Sequence, residues 1–476
     1  MAAVSHIVIV GAGFGGCSLA QFLSPAVDAG HARVTIIEAG DSFMIGAACQ
    51  YCLTDRIAPE ALARRLRDLQ GVSPKILGDM RLNTRVVSID LAARTVTARA
   101  NLAAAEGGGG GWDVVSASGN DGTTTLAYDY LVLATGSSYF PERIPGYASA
   151  FHNICKLDRV VALRDRVLHG VRATDDGETT FTVLVTIGGL PYKCPPSPFE
   201  VAFLLDELVQ QCAGGAALRR APGGAAQCRV RIKIASPKAP FPFGPPHVHR
   251  VFIEACKARN VEFLAGWQLT EVVADDCGPG GVAVFANGER IAYDVLAGTA
   301  PQAPPACVSS LPVADAKGYV PADLHTLRVD APGTRVDDGA CAVFCIGDAA
   351  SLTLPRPGGP KPHPKAGHFA YECAKSVAKL LTRLVAPVPR GGARPSVASL
   401  AQPGAGVLPT ERRGSCFAEC GFGTAVELKP VLFSADAGPS FKCAPPNAEA
   451  YAEKVKWIDA HYRRLFGDDA GFSVSE

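Results

Sequence analysis

The sequence predicts an α/β protein built from two doubly wound units and a C-terminal segment. Three observations predict it. An apolar strand at the start of the chain runs into a glycine-patterned helix start, and a second strand–turn–helix pattern begins at Val183. Two later apolar strands end in Ala-Thr-Gly136 and in Gly347-Asp348. Parallel strands need a crossover between neighbours, usually a helix, so alternating strand and helix patterns favour this fold class.

Length and composition set the bounds. At 476 residues the chain is long enough for two or three domains, each with its own core. A formal charge of +1, from 46 basic and 45 acidic residues, gives no electrostatic case for a nucleic-acid partner. No apolar run is long enough to span a bilayer. The 50 glycines and 36 prolines gather mainly in 103–122, 212–227 and 385–413. Such stretches bury too little apolar area to offset ordering entropy, so they read as surface insertions or linkers. Sixteen cysteines are scattered rather than set in a small-domain framework. The first strand starts at about His6, which leaves no room ahead of it for a signal or transit peptide. A reducing, cytoplasmic setting is therefore expected, with most thiols acting as small buried hydrophobes. No metal site is read.

The first unit is His6-Ile-Val-Ile-Val-Gly11-Ala-Gly13-Phe-Gly-Gly16, a strand passing into a helix. Gly11 makes the tight turn, Gly13 lets backbone approach phosphates, and Gly16 lets the helix pack on the strand. A pyrophosphate would rest on the helix N-terminus. The next strand, Val34-Thr-Ile-Ile-Glu38, ends in an acid 22 residues past Gly16, placed for ribose hydroxyls.

The second unit has the outline of the first without its glycines. Val183-Leu-Val-Thr-Ile187 reads as a buried strand and Glu200 to Leu208 as an amphipathic helix. Between them stand Gly-Gly, then Cys194 followed by Pro195 and Pro196. Proline is tolerated in the first turn of a helix, so Cys194 is expected at a helix N-terminus that lowers its thiol pKa.

Tyr128-Asp-Tyr-Leu-Val-Leu-Ala-Thr135-Gly136 and Ala342-Val-Phe-Cys-Ile-Gly347-Asp348 resemble signatures of flavoprotein reductases with two dinucleotide domains. That resemblance implies FAD, with Asp348 at its ribityl and phosphate portion and Thr135, Gly136 and Gly347 along the site. The implied fold is two Rossmann-like dinucleotide-binding domains (FAD/NAD(P)-binding fold) plus a C-terminal segment. Residues 1–146 would open the FAD domain, 147–288 form a second, NAD-type domain, and 289–384 return to the first. A linker, 385–413, and a C-terminal segment, 414–476, follow.

Pro364-Lys365-Ala366-Gly367 and the helix after it resemble a segment of sulfide:quinone oxidoreductases whose lysine faces the pyrimidine end of the flavin. The other reading of Lys365 is a solvated lysine at a helix start. Asn153-Ile-Cys155-Lys-Leu-Asp and Gly414-Ser-Cys416-Phe-Ala-Glu-Cys420 resemble the segments carrying that family's first and third cysteines, the latter a turn. Cys194-Pro-Pro-Ser-Pro-Phe-Glu200 falls where the second lies, and is also similar to the flavin subunit of flavocytochrome c sulfide dehydrogenase.

The resemblance, from His6 to about Phe466, implies a sulfide-oxidising enzyme with a Cys194–Cys416 disulfide or polysulfide bridge over the flavin. Sulfide would open the disulfide, electrons would pass to FAD and then to a quinone, and Cys155 would assist. Cys420 remains an alternative partner for Cys194. Glu200 is either a general base or an acid satisfying the helix dipole. Cys49-Gln-Tyr-Cys52 has redox-motif spacing, and reads as a flavin-facing loop, a surface dithiol or a chance pair. Cys345 and Cys256 read as structural.

Tyr451, Val455, Ile458, Tyr462 and Leu465 recur at helical spacing. Relatives use C-terminal elements to rest on a membrane and reach quinone, so this stripe reads either as peripheral membrane contact or as packing against the FAD domain. Phe417, Phe422 and Phe433 are candidates to line a quinone pocket. An oligomer is compatible with the sequence. Two other functions stay open: an NAD(P)H-dependent flavoprotein reductase (type II NADH:quinone or ferredoxin-type), and a flavin redox sensor without turnover. Against the first, the second turn has no third glycine before its helix, and no acid follows the next strand, at Ala235-Ser-Pro-Lys238.

Overall fold

The computed structural model describes residues 4–100, 122–174, 179–212, 219, 229–238, 245–275, 280–330, 343–356, 359–388, 391–402, 405–434 and 438–475. The glycine-rich stretches 103–122 and 212–227 lie almost wholly outside these residues.

Two parallel five-stranded sheets organise the chain. The first runs Val343–Cys345, Tyr130–Leu133, Ser5–Val10, Ala32–Ile37, Met80–Arg81. Ile7, Val8 and Ile9 are wholly buried, as expected of a central parallel strand covered on both faces. Helices Phe14–Asp28 and Gly367–Val385 pack on each other beside this sheet. The second sheet runs Phe151–Asn153, Val295–Thr299, Phe181–Ile187, Val230–Ser236, Val261–Ala265.

The chain returns to the first sheet later than the sequence suggested. Arg290–Tyr293 closes an antiparallel meander with Leu269–Ala274 and Gly281–Phe285. Val295–Thr299 is then a strand of the second sheet, paired to Phe181–Ile187. An apolar strand carries no mark of which sheet it will join, so only the pairing corrects a boundary set at residue 289.

Helix Ser197–Gln211 is not amphipathic: every residue from Ser197 to Val209 is buried. It is covered by the second sheet, by the turn Gly46–Thr54 and by strand Cys416–Gly421. Its acids survive burial because each has a cation: Glu200 has Lys454, Asp206 has Arg219, and Glu207 has Arg56.

The C-terminal segment is an antiparallel sheet (Glu411–Arg413, Cys416–Gly421, Thr424–Ser434, Ser440–Cys443) followed by helix Ala448–Phe466. Cys416 therefore opens a strand rather than sitting in a turn. Asn447 caps the helix by accepting the Ala450 N–H at 2.8 Å. Ile458, Tyr462 and Leu465 are wholly buried. Tyr462 donates to the Leu62 carbonyl at 2.7 Å, and the Arg464 guanidinium donates to Ser18 Oγ at 3.0 Å. The apolar stripe thus packs against the first domain. Among the described residues no helix is long and apolar enough to cross a membrane.

The stretch 385–413 is more than a linker, since Val397, Val407 and Arg412 are buried in it. The three phenylalanines do not form one pocket. Phe422 is exposed at a hairpin tip, Phe417 pairs opposite Glu427, and Phe433 lies further along the same strand with Arg412 over its ring. Six strand positions, about 20 Å, separate Glu427 from Phe433.

Candidate active site

The nucleotide turn has the geometry its glycines demand. Gly11 has φ +103°, and a Cβ there would lie 2.5 Å from the Ala134 carbonyl oxygen. A Cβ on Gly16 would lie 1.9 Å from the Gly11 oxygen, so that glycine seats the helix on the strand. At Gly13 no atom comes within 4 Å of such a Cβ, which leaves the backbone open to a ligand. The first amides of helix Phe14–Asp28 point out at this opening, as helix starts do. The Glu38 carboxylate accepts the Ala12 N–H at 2.6 Å and the Gly40 N–H at 3.0 Å, fixing the acid beside the turn.

Thr135 and Gly136 end the neighbouring strand, with Gly136 at φ +65° and open space around it. Gly347 has φ +68°, and Asp348 after it is buried with Lys193 Nζ at 4.0 Å. Lys365 is no solvated lysine. It is 9% exposed, donates to the Asp348 and Ala350 carbonyls at 2.9 Å each, and lies over the Tyr319 ring. Burial holds its ammonium below the usual lysine range, with Asp348 opposing. An open glycine turn, a helix start and an acid on the second strand together fit a dinucleotide.

The predicted thiols come within electrostatic reach of one another. Cys155 precedes helix Leu157–Ala173, Cys194 lies in the turn before Ser197–Gln211, and Cys416 opens a strand of the C-terminal sheet. Cys194 lies within electrostatic reach of Glu200, Cys155 and Cys416, and Lys454 acts on it in the opposite sense to Glu200. Its backbone N–H donates to the Lys365 carbonyl at 3.0 Å, which ties the thiol turn to the lysine segment of the first domain. Cys194 also holds φ +57°, a left-handed conformation costing roughly 1–3 kcal/mol for a non-glycine residue. Such strain persists only where the surroundings over-determine it.

Two expectations about these thiols are corrected. The helix start does not lower the Cys194 pKa. Proline occupies the N-cap, and burial followed by Glu200 pushes the thiol well above its ordinary range. Cys416 is pushed up to about 12 by the same two causes. Burial also raises Cys155, against a hydrogen bond from Tyr139. Nor is the implied Cys194–Cys416 disulfide present: both are free thiols, as are all thirteen described cysteines. Cys420 is buried, bonds to the Ala418 carbonyl, and is raised to about 12 chiefly by burial, with Glu200 adding to the shift and Arg259 opposing it.

Glu200 is wholly enclosed. Its Oε1 accepts from Lys454 Nζ at 2.9 Å and from the Glu419 N–H at 3.1 Å. Lys454 Nζ also lies 3.1 Å from Glu419 Oε1, and Arg56 bridges Glu419 and Glu207. Glu419 carries no signal in the sequence, where Lys454 reads only as one of the basic residues, with Lys456, Arg463 and Arg464, around the apolar stripe. Its position held a further signal: Lys454 falls four residues before Ile458, on the apolar stripe of its own helix, where a lysine must find a buried anion.

The Cys49–Cys52 pair is no surface dithiol, since both thiols are wholly buried. The turn that carries them flanks the thiol site. Cys49 feels the charge of Cys155, the Gln50 amide meets Ser197 Oγ at 3.2 Å, and Tyr51 lies under Lys454. Cys345 and Cys256 are buried, as expected of structural thiols.

A model of the pyridine nucleotide-disulphide oxidoreductase family matches residues 5–190. Type II NADH:quinone oxidoreductase NdhA of Mycobacterium tuberculosis is 27% identical over 251 residues, 50% of this chain and 45% of that protein. The chain thus aligns with less than half the length of this curated relative. Among solved structures, the sulfide:quinone oxidoreductase from the hyperthermophilic bacterium Aquifex aeolicus superposes with a TM-score of 0.68 at 16% identity, over 98% of this chain and 92% of that one. NDH2 from Plasmodium falciparum in complex with NADH gives 0.62 at 12% identity, over 89% and 90%. An NAD-dependent persulfide reductase from A. fulgidus gives 0.57 at 15%, over 90% and 64%. Residues 5–190 thus carry the pattern of the pyridine nucleotide-disulphide oxidoreductase family, the open glycine turn within them fits FAD, and the chain as a whole shares the fold of these solved structures.

Proposed function

We propose that the protein oxidises sulfide through Cys194 and Cys416, with Cys155 beside them, and passes the electrons by way of FAD to a quinone. One observation carries the reading. Cys155, Cys194 and Cys416, from three separate elements, all lie within electrostatic reach of Glu200, and the turn that carries Cys194 is hydrogen-bonded to the Lys365 carbonyl. Structural cysteines have no need of such an arrangement.

FAD, when bound, supplies a two-electron acceptor. The chain supplies the sulfur chemistry. As its S–S bond forms, the Cys194–Cys416 dithiol would give two electrons to that acceptor and its two thiol protons to a neighbouring base and to solvent. Hydrosulfide then attacks one sulfur of that bond, leaving a persulfide there and a thiolate on the other. With both thiols held above their ordinary range, a neighbouring base must take the proton for either to act at neutral pH. Glu200 stands in that place, its own carboxyl raised by burial and by Glu419.

The NADH-named relative favours a second reading, in which NADH is the donor. Against it, a Cβ on Gly188 would meet the Thr299 carbonyl oxygen at 2.8 Å, so the second turn is packed on protein where a pyrophosphate would need room. The test is anaerobic stopped-flow of the yellow protein with sulfide, then NADH, then NADPH. Fast bleaching by sulfide alone is the expected outcome. Fast bleaching by NADH without any by sulfide replaces the first reading with the second.

A further inference from the structure

We infer that Lys454 and Glu419 are positioning residues for the thiol site: they hold the Glu200 carboxylate beside Cys194 and Cys416 and make it the proton acceptor there. The inference rests on the reading of Cys194 as a working thiol. It goes beyond that reading by giving the C-terminal helix and sheet a part in the chemistry.

The geometry is a clamp. Lys454 Nζ reaches Glu200 Oε1 at 2.9 Å and Glu419 Oε1 at 3.1 Å, and the Glu419 N–H donates to that same Glu200 oxygen at 3.1 Å. All three side chains are 1% exposed. The lysine also sits over the Tyr51 ring, 4.9 Å from its centroid. Burying charges in this way is a poor route to stability, because well-packed apolar residues of similar volume often do as well or better. Three ionisable groups fixed against a thiol pair are better explained by what they do to the thiols.

Charge counting shows what that is. One lysine lies between two carboxylates, so the triad carries a formal charge of −1 when both acids are ionised. Protonating one acid makes it neutral. Glu419 therefore raises the affinity of Glu200 for a proton, while Lys454 keeps enough ionised carboxylate present to accept one. The groups facing Glu200 come from every element around it. They are Cys194 from the turn, Cys155 from the segment before Leu157–Ala173, and Tyr51 from the Gly46–Thr54 turn. Cys416, Glu419 and Cys420 face it from the C-terminal sheet, and Lys454 from the last helix. Among the described groups Lys454 is the cation bonded to Glu200, and Arg56 stands behind it, 3.7 Å from Glu419 and paired with Glu207. The step is a proton transfer: the Cys194 S–H bond breaks, a Glu200 O–H bond forms, and the thiolate keeps the negative charge that the triad loses.

Alkylation tests this without sulfide. Wild-type protein and the Lys454→Met, Glu419→Gln and Lys454→Arg variants, each full-length and loaded with FAD, are treated anaerobically with iodoacetamide across a pH series. Cys194 is followed by peptide mass spectrometry. Near neutral pH, Cys194 should react about tenfold more slowly in Lys454→Met and Glu419→Gln, equivalent to about one pKa unit, with the rise in rate moved to higher pH. Lys454→Arg should recover most of the rate. Profiles for Lys454→Met and Glu419→Gln that superpose on wild type overturn the inference, as does an Arg variant no better than Met. If Lys454→Met does not fold, Glu419→Gln, which keeps volume, decides alone. A wild type that sulfide fails to reduce, but whose Cys194 profile still moves in these variants, overturns the sulfide reading and leaves this one standing.

Discussion

Between Val10 and Phe14 the chain passes from strand to helix on glycines, while between Ile187 and Ser197 it makes the corresponding passage through prolines and a thiol. The first turn leaves its backbone bare at Gly13 and carries no residue that caps its helix by a side chain. The second packs Gly188 on Thr299 and Pro301, puts Pro196 at the N-cap, and buries the helix that follows on all sides. A βαβ crossing fixes where a helix starts relative to a sheet edge. Whether that place holds a phosphate or a reactive side chain depends on whether the turn exposes N–H groups or covers them.

The largest effect should come from the turn that depends on closeness. Gly16→Val places carbon against the Gly11 carbonyl and should leave little folded protein, at a cost of about 3 kcal/mol or more, read by thermal melting. Gly13→Val meets no protein atom, so it should fold and purify colourless. A fully yellow Gly13→Val protein would mean that the phosphate lies elsewhere. The same treatment of the second turn should give the reverse pattern. Cys194→Ser and Cys416→Ser should each remain yellow and lose reduction by sulfide at least 100-fold, because serine supplies neither an S–S bond nor a soft nucleophile. Cys155→Ser should show a smaller defect, and Cys420→Ser should behave as wild type. A dead Cys420 variant beside a working Cys416 variant would transfer the partnership.

Calorimetric titration with NADH should show no binding of micromolar strength at the second turn. If such binding appears and is lost in a Gly188 variant, the two turns are alike after all.

Acid should separate the units next. His363, beside the Lys365 segment, and His461, against Phe14 of the nucleotide turn, are both held down to about 3, chiefly by burial. A histidine with a lowered folded pKa binds protons less well folded than unfolded. Its stabilising effect is therefore complete above about 6.5 and is lost as pH falls from there towards 3. Denaturant melts should show stability falling over that window, less steeply in His363→Gln and His461→Gln. Cys416 runs in the opposite sense. Its raised thiol pKa, about 12, favours the fold below about 9 and loses that contribution as pH rises towards 12. The smallest effects belong to Cys345→Ser and Cys256→Ser, which should cost about 1–2 kcal/mol in stability and leave the rate of sulfide reduction unchanged.

Local chemistry was legible wherever one residue type satisfies one backbone need. Gly11 and Gly16 make the close backbone approaches expected of them, Gly13 is left open, and the Glu38 carboxylate at its strand end accepts the Ala12 N–H. What escaped was pairing at a distance. Val295–Thr299 reads like any apolar strand until Phe181–Ile187 takes it as a neighbour. Likewise, Cys49-Gln-Tyr-Cys52 is an ambiguous motif until Ser197 and Lys454 come to lie against it.

By itself, then, the sequence determined the two crossings and the chemical character of each turn, because glycine, proline and thiol act on their own immediate backbone. Only the tertiary structure decided how the second turn behaves. A helix start should have lowered the Cys194 pKa, but burial among Glu200, Cys155 and Cys416 raises it instead. It also brought Lys454 and Glu419 from the far end of the chain to Glu200. Desolvation and charge act through space, so the state of a part-buried thiol such as Cys194 depends on everything packed around it.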